Sequence, residues 1–227
     1  MINKNVGKYI ECNWSQYIDT VKAISSSSNA SPLVDSTEKL YNFDDICSTL
    51  FNQSCKPSSA DGVLLQNNIL YLIEFKSGFK DKISKYNFNK EKAKCPKIND
   101  FCEDYWQIFF QKRELEKSEL ISSIRAKVVE SYITLEKKVF PICEDLCSSH
   151  KYTIIFIVVI DEDEINNMEN ILSDLSSVNP SESNCYKQVR QSLKKYLKAT
   201  DASGQEYFYD DIKVMSSVDF KNFIEQH

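Results

Sequence analysis

Apolar residues recur at helical spacing near the N-terminus, where Trp14, Tyr17, Ile18, Val21 and Ile24 predict a helix that ends at the loop Ser25-Ser26-Ser27-Ser28-Asn29. The capping chemistry of Asp35-Ser36-Thr37-Glu38 predicts a second helix, with Leu40, Phe43, Ile46 and Leu50 as its buried stripe. Pro57-Ser58-Ser59 then breaks the chain, and two β-rich runs follow, residues 61–66 and 69–76, joined by Asn67-Asn68. Asparagine tolerates the positive φ of a two-residue hairpin turn, so the pattern predicts a hairpin. Counting outward from the turn, Gln66 faces Ile69 and Asp61 lands opposite Glu74. Side chains opposed in this way stand about 4.5 to 5.5 Å apart at Cβ. Lys76, two residues beyond Glu74, points to the same face of the sheet.

From Gly78 to about Asn99 the chain is lysine-rich and without period, which predicts a long loop or insertion. Residues 101–111, with Tyr105, Trp106, Phe109 and Phe110, predict a short helix or strand. The clearest helix spans Ser118 to Phe140, capped by Ser118. Ile121, Ile124, Val128, Tyr132, Leu135 and Val139 lie within about 40° of one line at 100° per residue, and Arg125 lies inside that arc. A guanidinium turned toward a core needs a buried acceptor. The hairpin carboxylates and a substrate phosphate are two candidates; a path along the helix edge with the head group in water is the third. Tyr152 to Ile160 reads as a strand buried on both faces, and the acids of Asp161-Glu-Asp-Glu164 as the solvated start of a helix. Two helices are expected next, one carrying Ile165, Met168, Leu172 and Leu175, the other Tyr186, Val189, Leu193 and Leu197. A strand over Tyr207–Met215 and a closing helix capped by Ser217 complete the pattern, with no repeat or linker dividing residues 1–227 into more than one domain.

The 227 residues are 42% apolar and 27% charged, which suits one globular domain. The N-terminus lacks a basic-then-apolar signal, and the longest apolar run, Ile154–Ile160, is far short of the roughly 20 residues that span a bilayer, so a cytoplasmic protein without membrane contact is expected. Eight cysteines in a long chain without a secretory signal read as reduced thiols, and Cys143-x3-Cys147 and Cys95-x6-Cys102 lack zinc-knuckle spacing. Only two histidines occur, His150 and His227. That scarcity excludes multi-histidine metal chemistry and leaves carboxylates and lysines as candidate reactive groups. The net charge of −5 hides a polar distribution: eight lysines stand between Lys76 and Lys97 against Asp81 and Glu91, and four lysines with Arg190 between Lys187 and Lys198 face no acid. Basic segments of this kind suit a phosphate backbone, or equally a solvated surface.

The tripeptide acid-x-Lys also occurs at Glu136-Lys137-Lys138, Asp211-Ile212-Lys213 and Asp219-Phe220-Lys221, but only Glu74 has an acid registered opposite it. A helix, a hairpin carrying Asp61 and Glu74-x-Lys76, a long helix and a buried strand, in that order, resemble the PD-(D/E)xK nuclease-like superfamily. Ala60 stands where the motif's name has proline. The resemblance covers about residues 36–160, with 161–227 as an extension. It implies an α/β fold with a mixed central sheet flanked by helices, an αβββαβ restriction-endonuclease-like core with additional N- and C-terminal helices. It further implies that Asp61 and Glu74 bind a divalent cation, that Lys76 assists the attacking water, that Arg125 turns toward the site, and that Glu38 or Asp45 supplies a third acid.

Hard cations such as Mg2+ or Mn2+ favour oxygen ligands and are commonly held by one or two carboxylates with water and substrate phosphate. Asp61 and Glu74 provide the carboxylates, and the Phe75 carbonyl is near enough in sequence to join them. The expected function is metal-dependent hydrolysis of DNA or RNA phosphodiesters, with foreign-DNA defence a common setting for such proteins. The alternative is a catalytically inactive module of the same fold that binds nucleic acid, a protein partner or a second copy of itself.

Overall fold

The computed structural model describes residues 4–26, 31–67, 69–78, 100–142, 153–161, 185–197 and 208–226. The lysine-rich stretch beyond Gly78, the acids after Asp161, the helix expected around Ile165–Leu175, Tyr207, His150 and His227 lie outside them.

Six strands form one mixed sheet in chain order: β1 (Ile18–Thr20), β2 (Lys39–Asn42), β3 (Gly62–Gln66), β4 (Ile69–Lys76), β5 (Thr153–Ile160) and β6 (Asp211–Ser216). β1 to β4 are antiparallel neighbours, whereas β5 and β6 run parallel to β4. The parallel step needs a crossover, and it contains α4 (Asp100–Thr134), a helix of 35 residues. The remaining helices are α1 (Lys4–Trp14), α2 (Val21–Ile24), α3 (Phe43–Leu50), α5 (Cys185–Leu193) and α6 (Ser217–Glu225). The chain is thus an α/β fold with a mixed sheet and flanking helices.

The two faces of the sheet carry separate cores. Leu70 and Leu72 of β4 join Ile154, Phe156, Val158 and Ile160 of β5 against Ile124 and Val128 of α4. Tyr71, Ile73 and Phe75 join Ile155, Ile157 and Val159 against Phe220 and Ile224 of α6. Strand β5 is therefore apolar at both parities because both of its faces are covered. The hairpin has the register that counting from the turn predicts, with Gln66 paired to Ile69 and Gly62 to Ile73. Asn67 takes φ 46°, the left-handed conformation that asparagine accepts more readily than branched residues.

Four expected helices have different boundaries. Trp14 closes α1, while Val21 opens α2, which Thr20 caps by accepting from the Ala23 amide at 3.2 Å. Trp14 packs in the core on the α4 side and Val21 in the core on the α6 side, so their helical spacing does not mark one helix. The same separation divides Leu40 from Phe43 and Ile46: Leu40 lies in β2 and faces α6, while α3 begins after Asn42, whose side chain accepts from the Asp45 amide. α4 runs straight through Ser118, joining the expected short element at 101–111 to the long helix, and continues into wider π-type winding over Leu135–Val139. In the closing helix it is Ser216 that caps, accepting from the Asp219 amide at 2.9 Å.

Candidate functional site

Asp61 immediately precedes β3, and its backbone ties three elements together. Its amide donates to the Ile73 carbonyl at 2.9 Å, and its carbonyl accepts from the Phe43 amide at 3.0 Å. With the main chain pinned, the side chain reaches across the hairpin: Oδ2 accepts from the Phe75 amide at 2.7 Å. Glu74 shares the parity of Leu70 and Leu72, so it points toward α4 and is fully buried.

A buried carboxylate needs charge partners, and two lysines provide them. Lys127 of α4 places Nζ 2.9 Å from Asp61 Oδ1 and 2.8 Å from Glu74 Oε2, bridging the two acids. Lys76 places Nζ 2.9 Å from Glu74 Oε1, yet that oxygen receives no aligned hydrogen bond. We treat this contact as charge attraction alone, since distance without angle does not make a hydrogen bond. Lys76 is steadied instead by donating to Ser123 Oγ at 3.3 Å. Burial, reinforced by the neighbouring Asp61 charge, pushes the Glu74 carboxyl up to about 7 despite both lysines. Burial works to lower the Lys127 pKa, but the charges and hydrogen bonds of Glu74 and Asp61 outweigh it and raise the net value.

α4 meets the site with a file of polar residues one turn apart, Ser123, Lys127 and Ser131. Ser131 Oγ accepts from the Ala60 amide at 2.8 Å, and Glu130 Oε2 accepts from the Ser58 amide. The helix thus fixes the segment leading into Asp61 as well as the ammonium facing it. Beside it, Ser59 donates to Asp44 Oδ1 at 2.6 Å and Lys56 pairs with Asp44 Oδ2 at 2.8 Å. Burial pushes the Asp44 carboxyl up, but hydrogen bonds from Lys56 and Ser59 and the charges of Lys56 and Lys127 hold it below the usual range.

Asp61, Glu74 and Lys76 therefore meet, although the paired ladder ends at Gly62–Ile73 and the Asp61 amide donates to the Ile73 carbonyl, so Asp61 is not the direct partner of Glu74 that the hairpin count predicts. Compared with family models, curated proteins and solved structures, the chain matches none. Arg125 is not part of the cluster: its Nε donates to the Ser192 carbonyl at 3.2 Å, beside α5. Arg125 and Lys127 are two positions apart, which at 100° per residue puts them about 160° apart around the helix. Glu38 and Asp45 are both exposed and neither joins Asp61 and Glu74; the acid of α3 that lies nearest in charge to Lys127 is Asp44. The Phe75 side chain belongs to the opposite face, packed edge-on against Phe220 with ring centroids 5.5 Å apart. Lys127 and Asp44 escaped the sequence reading. The i, i+4, i+8 file of Ser123, Lys127 and Ser131 beside the apolar stripe was the available signal for Lys127.

Among the described residues no group of three or more His, Cys, Asp or Glu gathers closely enough to hold a metal ion. Two carboxylates do suffice for a hard cation that keeps water and substrate oxygens as its other ligands. Glu74 Oε1, buried and without an aligned hydrogen bond although the Lys76 ammonium stands 2.9 Å away, is an oxygen such an ion would share. The donor set fits Mg2+ or Mn2+.

Proposed function

We propose that this protein is a metal-dependent nuclease that hydrolyses phosphodiester bonds of DNA or RNA, a member in kind of the PD-(D/E)xK nuclease-like group. The observation that carries the proposal is the buried Glu74 carboxylate, with one oxygen lacking a hydrogen bond, joined to Asp61 through Lys127 and flanked by Lys76. Asp61 and Glu74 would hold Mg2+ or Mn2+, with the Phe75 carbonyl as a further oxygen. When bound, the cation would lower the pKa of a coordinated water and stabilise charge developing on the phosphorus centre.

The chain's own residues do the rest. Asp61, fixed by Phe75, Phe43 and Ile73, keeps its carboxylate in one orientation through the reaction. Lys76, held by Ser123 beside Glu74, orients the attacking water or neutralises the oxyanion as it forms. The fit of α4 against the hairpin keeps bulk water from Glu74 and strengthens each charge interaction there.

Purified protein supplied with Mg2+ or Mn2+ is expected to nick or degrade plasmid and single-stranded substrates. Glu74→Ala and Lys76→Ala are each expected to abolish that activity, and full activity in both variants would refute the proposal. A second reading is favoured by Lys127, whose ammonium already bridges both carboxylates. On that reading the protein is an inactive module of the same fold that binds nucleic acid or a protein partner. Metal-independent, salt-sensitive oligonucleotide binding without cleavage would support it.

A further inference from the structure

Asp61 Oδ2 already accepts from the Phe75 amide at 2.7 Å, which leaves Oδ1 as the more open oxygen for a cation. Lys127 holds Oδ1 at 2.9 Å, while also holding Glu74 Oε2 at 2.8 Å. A cation held between the facing oxygens of Asp61 and Glu74 would meet the ammonium that already bridges them. At that separation, in a half-buried site, repulsion between a divalent ion and an ammonium is too strong for both to stay. Lysine can yield: its charge sits on a flexible four-carbon stem, and among the described residues the two carboxylates are the acceptors of Lys127.

We propose that Lys127 is a tethered counter-ion of this site, which occupies the space between Asp61 and Glu74 in the metal-free protein and is driven outward when a divalent cation binds. The role rests on the metal-dependent reading of the site given above. Its consequence is twofold. The metal-free protein keeps its two carboxylates bridged, and metal affinity is reduced by the work of expelling the ammonium.

The displacement is tested on the full-length wild-type chain by acetylating lysines with an N-hydroxysuccinimide ester and quantifying each site by peptide mass spectrometry. Lys22, ion-paired with Asp35 at the surface, serves as reference. Saturating Mn2+ should raise Lys127 labelling on the order of tenfold and leave Lys22 unchanged. Calorimetric titration with Mn2+ gives a second readout: Lys127→Met should bind the ion about tenfold more tightly than wild type. If Mn2+ binds the wild-type chain while Lys127 labelling stays at its metal-free level, displacement is overturned and the metal site stands. Equal or weaker binding by a folded Lys127→Met protein overturns it too. If Mn2+ binds neither protein, the metal-dependent reading itself falls. Should Lys127→Met fail to fold, the labelling of the wild-type chain decides alone.

Discussion

Arg125 and Lys127 lie two residues apart on α4 and serve opposite flanks of it: the guanidinium donates to the Ser192 carbonyl, while the ammonium bridges Asp61 and Glu74. Arg125→Met should leave metal-dependent cleavage at the wild-type rate, because no atom of Arg125 meets the carboxylates. Its cost should appear in stability, on the order of 1–3 kcal/mol for the lost charged hydrogen bond. Denaturant unfolding and a cleavage assay on the same preparation check both halves; a large loss of activity in a stable variant would contradict the placement.

Glu74 gives the metal-free protein a pH dependence of known sign. Its carboxyl is raised from the ordinary 4.5 to about 7 in the folded state, chiefly by burial. The native state therefore binds more protons than the unfolded chain between these values, and stability falls as pH rises from about 4.5 through about 7. At about 1.4 kcal/mol per pKa unit the fall amounts to roughly 3 kcal/mol. Glu74→Gln should remove that fall and flatten the profile over the window. Denaturant melts at pH 5 and pH 8 in the presence of a chelator measure it, and an unchanged slope in the variant would rule the account out.

Ser131 holds Ala60 and so the approach to Asp61. In Ser131→Ala the buried Ala60 amide loses its acceptor, which costs about 1–3 kcal/mol. For a chain of this size the melting temperature should drop by about 2–4 °C for each kcal/mol. Ser131→Thr keeps an acceptor and should retain most of the stability. Differential scanning calorimetry separates the two variants.

The described cysteines should differ sharply in reactivity. Cys12 and Cys55 are exposed, whereas Cys47 is buried against the Phe43 and Ile46 core. Burial pushes the Cys47 thiol up to about 12, although a hydrogen bond from Ser59 and the Lys56 charge oppose it. Since the thiolate is the nucleophile, iodoacetamide at pH 8 should alkylate Cys12 and Cys55 and spare Cys47 until the protein is unfolded. Peptide mass spectrometry before and after denaturation reads the difference.

The hairpin was legible in the sequence because a two-residue turn leaves one register, and that register fixes the pairs from Gln66–Ile69 to Gly62–Ile73 and the face that Glu74 and Lys76 share. The buried strand β5 was legible for a related reason, since a run apolar at both parities can only sit inside. Helical spacing misled wherever consecutive apolar residues feed different cores. Leu40 and Phe43 look like neighbours on one helix but point to opposite sides of the sheet. Lys127 was hidden by a different ambiguity. A polar file beside an apolar stripe ordinarily faces water, and only the position of the sheet decides which flank of α4 meets the hairpin and which meets α5. Arg125, beside the apolar stripe, points to the other flank of α4.

The left-handed Asn67 turn sets more than the shape of a loop. Side chains alternate faces along a strand, so one extra residue that left a two-residue turn in place would slide β4 by one position against β3 and exchange its two parities. Glu74 would then move from the helix side into the aromatic packing of Phe75 and Phe220, and the chemistry would be lost without any change to the acid, the lysine or the helix that faces them. The turn acts as the phase setting of the whole assembly, and the length of that loop is as much a determinant of the site as the residues that compose it.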